Sequence, residues 1–352
     1  MNLNYGEKNI YHLLIIDGKN IMVRRFLILI TLLIIGSYGV VRAQDPHSSQ
    51  FYANPLYLNP AFAGSERCPR LSLSYRNQWP AFGSTYVTYN IAYDQYWHAL
   101  RGGVGIYLMD DVQGSGDGRI NTASINAMYS YTLQVSKKFS LAAGFQASFA
   151  MKRIDWDFVF PNMIHPLYGP IYASLENPDI INTKRNYVDF SAGILGFTEM
   201  VFFGVAVHHL TEPSESFLRG SDAVLPRKYT AHFGAEIPIN STKFKRGDLL
   251  IAPQILFQQQ GAFFQQFYWG MYVSRMGILA GFWFRQTFEF QYDALVMMVG
   301  YKYNKFRFSY SYDLTISKLS NSTYGAHEVS VAYTFGCHEK AKKISTISCP
   351  SF

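Results

Sequence analysis

Phe139-Ser140-Leu141-Ala142-Ala143-Gly144-Phe145-Gln146-Ala147-Ser148-Phe149-Ala150-Met151 is the stretch whose reading decides the fold. Leu141, Ala143, Phe145, Ala147, Phe149 and Met151 fall on alternate positions, and Gln146, Ser148 and other small residues fall between them. Side chains of a β-strand point to opposite faces in turn, so this pattern gives one apolar face and one small or polar face. A soluble sheet hides its apolar face in a core. Here the small, polar face suits a crowded interior, and the large apolar side chains suit lipid. Residues 326–335 repeat the arrangement, with Val329, Val331, Tyr333 and Phe335 outward and Glu328, Ser330 and Thr334 inward.

Segments of this kind recur from residue 70 onward and predict strands near 70–79, 84–97, 102–110, 119–134, 139–153, 186–197, 200–210, 227–239, 248–259, 264–274, 277–287, 292–302, 305–313 and 326–336. Fourteen is an even number, as a barrel with both chain ends on one side requires. The connections supply an independent argument. After even-numbered strands they are short: His98 to Arg101, Val135 to Lys138, Thr198-Glu199, Arg275-Met276, Lys302 to Asn304, and the somewhat longer Asn240 to Gly247. After odd-numbered strands come all the long ones: Asp111 to Gly118, Ile154 to Arg185, Thr211 to Pro226 and Leu314 to Gly325. Outer-membrane barrels sort their connections in this way, short on the periplasmic side and long outside. A soluble β-sandwich has no reason to.

Composition agrees. Aromatic residues make up 17% of the 352-residue chain, with 26 Tyr and 28 Phe, types that favour pleated surfaces and bilayer interfaces. After residue 41 no apolar run approaches the ~20 residues that a spanning helix needs. The formal charge of +7 invites a nucleic-acid reading. Residues 44–352 hold 26 basic and 22 acidic side chains, with no basic block or basic helix, and nucleic acid is not an expected partner.

Arg24-Arg25 precede an apolar run from Phe26 to Ile35, and Val41-Arg42-Ala43 follows with compact residues where a signal peptidase reads. Cleavage is expected after Ala43, with Met22 leaving residues 1–21 open as an over-extended reading frame. No Cys follows the cut, which disfavours a lipoprotein. Residues 44–69 contain Asn54-Pro55 and Asn59-Pro60, and proline donates no ladder hydrogen bond, so no regular strand is expected there. This segment reads as irregular and periplasmic, or as a plug entering the barrel.

The same segment, Gln44-Asp45-Pro46 through Asn54-Pro55-Leu56-Tyr57-Leu58-Asn59-Pro60-Ala61-Phe62-Ala63-Gly64, closely resembles the opening of the PorP/SprF family of type IX secretion system membrane proteins. The resemblance continues at Leu225 to Thr230, at Ser311-Tyr312-Asp313, at Leu319-Ser320-Asn321, at His327-Glu328-Val329 and in the tail from Ile347 to Phe352. Asn54, Pro55, Tyr57, Asn59, Pro60 and Gly64 carry its most specific part. The resemblance implies an outer-membrane barrel of the Bacteroidetes type, tied to type IX secretion and, in some members, gliding motility. Implied partners are periplasmic ring or peptidoglycan-linked lipoproteins, secreted adhesins, and outer-membrane lipid. It implies no catalytic residues and no cofactor.

Other chemistry finds weaker support. His208-His209 with Glu212 offers two metal-ligand types but no convincing third ligand, and a solvated strand end is the favoured reading. Asp111, Gln113, Ser115, Asp117 and Gly118 are spaced like part of a calcium loop that lacks its closing Glu, and a glycine-rich surface loop is favoured. No nucleophile elbow is present. Cys68, Cys337 and Cys349 would meet an oxidising compartment after export. Cys68 precedes the first strand and Cys337 follows the last, so a bridge between them would staple the seam; Cys337 with Cys349 is the competing pair, and free thiols remain open. The short turns hold Arg101, Lys137, Lys138, Lys243, Lys245, Arg246 and Lys305, and the tail adds Lys340, Lys342 and Lys343. This basic rim, above all Lys243, Lys245 and Arg246, could dock an acidic periplasmic partner or simply be a solvated turn composition.

The sequence therefore predicts an all-β chain: a leader over 1–43, an N-terminal segment over 44–69, a transmembrane antiparallel β-barrel of about fourteen strands over 70–336, and a periplasmic tail over 337–352. The expected function is a non-enzymatic outer-membrane anchor or coupler in type IX secretion. A general porin or solute channel is the alternative, and a barrel lipase a third possibility.

Overall fold

The computed structural model describes residues 45–81, 86–114, 119–155, 161–172, 183–217, 223–239, 249–262, 264–288, 291–317 and 323–336. The expected leader and its cut, and the C-terminal tail, lie outside the described residues.

Fourteen long strands form the wall: β1 (Arg70–Gln78), β2 (Tyr86–Trp97), β3 (Gly102–Gln113), β4 (Ile120–Gln134), β5 (Ser140–Ile154), β6 (Lys184–Phe197), β7 (Val201–His208), β8 (Lys228–Ala235), β9 (Leu250–Gln260), β10 (Phe264–Arg275), β11 (Ile278–Gln286), β12 (Tyr292–Tyr303), β13 (Phe306–Thr315) and β14 (Ala326–Thr334). Each pairs antiparallel with its sequence neighbours. The ring closes between β1 and β14, in register from Arg70 opposite Thr334 to Gln78 opposite Ala326. The chain is thus a closed antiparallel barrel of fourteen strands, the fold that the alternation predicts.

Alternation places the side chains as expected. On β5 Ser140, Ala142, Gly144, Gln146, Ser148 and Ala150 are buried, while Phe145, Phe149 and Met151 are exposed. Outward faces elsewhere carry Ile106, Ile125, Val188, Val205, Val299 and Tyr310, all exposed. In water so large an apolar surface would drive association; in a bilayer it is the matching face. The connection between β10 and β11 is the two residues Met276-Gly277, with φ values of 51° and 89°. Positive φ at both positions is what a two-residue hairpin needs to match the strand twist.

One boundary differs from the sequence reading in an informative way. Asp111 was expected to open a loop after a strand ending at Asp110, yet β3 continues to Gln113. The Thr88 hydroxyl donates to Asp111 Oδ1 at 2.6 Å, Gln113 donates to Asp111 Oδ2 at 2.8 Å, and Asn121 donates to Asp110 at 2.8 Å. Cross-strand donors hold both aspartates in the ladder against their preference for turns. Of the calcium-like spacing, Asp111 and Gln113 therefore belong to a strand; Ser115, Asp117 and Gly118 lie outside the described residues.

Candidate functional site: the filled lumen

Residues 45–66 run through the bore from one end to the other. At the end carrying the long loops, the Asp45 amide donates to Gln260 Oε1 at 3.0 Å, and its carboxylate lies 2.9 Å from His209 Nε2 and 3.3 Å from Lys228 Nζ. At the end carrying the short turns, the Gly64 amide donates to Asp94 Oδ2 at 2.9 Å. There the Glu66 carboxylate accepts from Arg307 at 2.5 Å and from Arg70 at 3.1 Å.

The two Asn-Pro pairs shape the path between these ends. Pro55 opens a single helical turn, α1 (Pro55–Leu58), and Pro60 opens a 3-10 turn over Pro60–Phe62. Proline suits the first helical position because its missing N–H would be unpaired there anyway. Asn59 lies between the two turns and is fully buried. Its Oδ1 caps the second turn by accepting from the Ala61 amide at 2.9 Å. Its Nδ2 donates to the carbonyls of Ile194 at 3.1 Å and Val205 at 3.2 Å, on β6 and β7. The wall gives way to let it in: a Cβ on Gly193 would stand 2.1 Å from Asn59 Oδ1, and one on Gly103 would stand 1.9 Å from the Ala63 carbonyl oxygen. Glycine is needed at such close approaches.

A buried ionic cluster holds the first half of the segment. Arg76 of β1 donates to Glu328 of β14 at 3.0 Å and to Asp313 of β13 at 2.9 Å. Arg285 of β11 reaches the same Asp313 oxygen at 2.9 Å and Asp293 at 2.6 Å. Into this cluster the segment inserts Ser49, whose amide donates to Glu328 at 2.8 Å and whose hydroxyl donates to Asp313 at 2.6 Å. Gln50, fully buried, donates to Ser311 Oγ and the Glu328 carbonyl, and accepts from Ser309 and Ser330. His47 Nε2 lies 3.1 Å from Arg76 and 2.9 Å from Arg285. Burial, then repulsion by Arg76, Arg285 and Lys228, hold its pKa well below the ordinary histidine value, so it is neutral and accepts from both guanidinium groups.

The middle of the segment is apolar. Phe51, Tyr52, Leu56, Leu58, Ala61 and Phe62 form one core with Leu256, Tyr268, Tyr272, Trp283 and Val296 of the wall. Tyr52 stacks on Trp283 with ring centres 4.9 Å apart, and Phe62 on His232 at 5.1 Å.

All six motif residues, Asn54, Pro55, Tyr57, Asn59, Pro60 and Gly64, lie in the lumen. Asn54 donates to Ser74 at 3.0 Å, and the Tyr57 hydroxyl donates to the Pro46 carbonyl while accepting from Lys228 at 3.1 Å. Lys228, Ser311, Asp313 and Glu328, which the segment contacts, fall within the interior patches that carried the family resemblance. Arg70, Arg76, Asp94, Arg285 and Arg307 went unremarked in the sequence; charged residues in strand register, at positions where neighbouring inward residues are small, were the available signal.

His208-His209 is a correction. It is not a solvated strand end: His208 is buried with Nε2 3.3 Å from the Leu58 carbonyl, and His209 lies between Asp189 at 2.7 Å and Asp45. The N-terminal segment fills the volume that solvent would have taken. Cys68 is disulfide-bonded. Cys337 and Cys349 lie outside the described residues, as do Lys243, Lys245 and Arg246. Arg101, Lys137, Lys138 and Lys305 are exposed on the short turns. Among the described residues no group of three or more His, Cys, Asp and Glu side chains is placed to hold a metal.

A strand ring with an apolar outer face and a bore occupied by its own N-terminal segment defines a plugged outer-membrane β-barrel. The sequence pattern of the PorP/SprF type IX secretion system membrane proteins matches residues 40–333. The chain belongs to that family. No curated protein matches it. Among solved structures it is similar to the Ralstonia pickettii toluene transporter TbuX, at 11% identity and a TM-score of 0.45 over 80% of this chain and 93% of that one. The P. putida toluene transporter TodX gives 11% and 0.46 over 80% and 93%. The CymD monoaromatic hydrocarbon channel gives 12% and 0.44 over 86% and 96%. Similarities of this size say nothing about what the present chain binds.

Two predictions follow from the charges. Asp313→Ala leaves Arg76 and Arg285 buried beside too few carboxylates, and should cost about 3–5 kcal/mol in urea unfolding of the purified barrel, whereas a cost below about 1 kcal/mol would contradict the cluster's role. The second concerns pH. Burial disfavours charge on His209, but Asp45 and Asp189 outweigh it and raise its pKa to about 10. Burial likewise opposes charge on Asp45, and His209 with Lys228 holds its pKa below the ordinary carboxylate range. The raised imidazolium contributes fully below its unfolded pKa of about 6.5 and declines as pH rises toward 10; the depressed carboxylate contributes above about 3.8 and is lost in acid. The stability gap between wild type and His209→Gln should therefore be largest near pH 5 to 6 and narrow by pH 10. A gap that widens from pH 6 to pH 10 would refute the assignment.

Proposed function

We propose that this chain is a non-enzymatic barrel that anchors or couples periplasmic machinery and secreted surface proteins of type IX secretion. The observation that carries this reading is the lumen threaded from one end to the other by residues 45–66, which buried ion pairs lock in place. A general porin needs a continuous aqueous path, and the segment occupies it. By the rule that short turns face the periplasm, Glu66 lies toward the periplasmic end and Asp45 toward the outside, so one tethered segment touches both ends of the barrel. The exposed basic turns suit an acidic periplasmic partner, through steering and complementarity.

The test combines conductance with capture. The intact chain should show no steady conductance in planar bilayers, and deletion of residues 45–63 should open one. Affinity purification from the native envelope should retrieve a periplasmic lipoprotein or an adhesin's C-terminal domain, and charge reversal at Lys243, Lys245 and Arg246 should reduce that recovery. Steady conductance of the intact chain, with no such partner retained, would favour the solute channel instead.

In the same reading Cys68 pairs with Cys337. The β1–β14 register, extended two residues beyond Arg70 and Thr334, sets Cys68 opposite Gly336, and the Phe335 amide donates to the Pro69 carbonyl at 2.8 Å. Non-reducing peptide mapping should recover the 68–337 bridge; a 68–349 bridge would overturn the pairing.

A further inference from the structure

The alternation that governs the wall puts two cations side by side on its outer face. Arg153 of β5 stands directly opposite Lys184 of β6, in the last pair of that ladder at the long-loop end. Both are exposed. Their sequence neighbours face the other way: Lys152 points into the bore and pairs with Glu215 at 2.7 Å, and Arg185, opposite Lys152, donates to the Ser214 carbonyl at 3.4 Å. Side chains directly opposite on one face of an antiparallel pair have Cβ atoms about 4.5–5.5 Å apart, and like charges at that spacing repel.

No carboxylate relieves the repulsion. Among the described residues neither Arg153 nor Lys184 has a hydrogen-bonding or ion-pair partner. The acids nearby are committed elsewhere. Asp155 holds Arg119 at 3.1 Å, Asp110 accepts from Asn121 at 2.8 Å, and Glu215 is buried inside the barrel.

Toward the middle of the wall the same outward face becomes apolar. Met151 pairs with Asn186 and Phe149 with Val188, and Met151, Phe149 and Val188 are all exposed. Further along, Phe145 stacks on Phe190 with ring centres 5.7 Å apart. This is the belt that faces hydrocarbon. At a rise of about 3.3 Å per residue, the two cations sit about 7 Å beyond the Met151 row, at the rim of that belt. Because short turns face the periplasm, the rim at the long-loop end meets the outer leaflet, where outer membranes carry phosphorylated glycolipid.

We propose that Arg153 and Lys184 bind the phosphate of an outer-leaflet glycolipid whose acyl chains lie along Met151, Phe149 and Val188. A phosphate set between the two cations replaces their repulsion with charge-assisted hydrogen bonds, a planar fork from the arginine and a point charge from the lysine. A soluble anion would meet the charges but gain nothing from the apolar belt. An acidic protein would have to displace lipid from that belt to reach them.

The test is titration of the purified full chain in dodecyl maltoside with bisphosphorylated lipid A, read by native mass spectrometry as lipid retained per chain. The lipid should bind, and Arg153→Gln combined with Lys184→Gln should weaken its retention about thirtyfold, about fivefold for each charge removed. Stripping both phosphates from the lipid should cost about as much. Arg275→Gln, which removes an exposed outward cation at the short-turn end of β10, should leave retention unchanged. A second measurement separates binding from folding: without lipid, the double variant should resist urea at least as well as wild type, because it removes a repulsion. The proposal is overturned if phosphate-free lipid A binds as tightly as the bisphosphorylated form, or if the double variant retains lipid like wild type. It is equally overturned if Arg275→Gln loses as much, or if the lipid-free double variant is less stable than wild type. Inorganic phosphate bound as tightly as the lipid would mark a free-anion site and overturn the lipid assignment.

Discussion

Ring closure between β1 and β14 is the constraint on which the structure depends. Hydrocarbon offers backbone amides no partner, so an open sheet would leave a row of N–H and C=O groups unsatisfied at each edge. Nine consecutive residue pairs join the first strand to the last and remove both edges at once. Every other feature answers to that ring: alternation sends large apolar side chains into lipid, and the smaller, polar ones face a space that must then be filled.

How the space is filled shows two kinds of physics side by side. Near the long-loop half, the segment and the wall meet through buried carboxylates, guanidinium groups and hydroxyls. Such groups are costly to desolvate and persist because each has several partners. In the middle, Tyr52 on Trp283 and Phe62 on His232 form an ordinary packed core, though one built inside a membrane barrel. The polar part fixes where the segment sits and the apolar part supplies contact area. Glycines such as Gly193 and Gly103 let backbone and amide groups approach without a clash.

Much of the wall was legible because a strand writes its two faces into the sequence at a period of two, as Phe145 against Gln146 illustrates. Alternation depends on neighbours only, and it needs no knowledge of distant residues. The course of residues 45–66 was not legible in that way. Its two Asn-Pro pairs exclude a strand but do not say whether the chain lies inside or outside. That is decided by partners far away in sequence: Ser49 and Asp313 are 264 residues apart, and Asp45 and His209 are 164. For the same reason His208-His209 looked solvated, since nothing local reveals that another part of the chain fills the adjoining volume. Asp111 misled in the opposite sense, because its turn preference is a local signal that a cross-strand donor overrides.

The seam pair Arg76–Glu328 carries one more consequence. Alternation distinguishes inward from outward but tolerates a shift of two residues, because parity is then preserved. Around this pair β1 offers Ser72 and Ser74 and β14 offers Ser330, side chains too alike to tell such shifts apart. A slip of two would set Arg76 against serine or alanine, strand Glu328 away from its guanidinium, and misalign both with Ser49. The ion pair at the join, read by a third segment, therefore proofreads how the last strand zips onto the first.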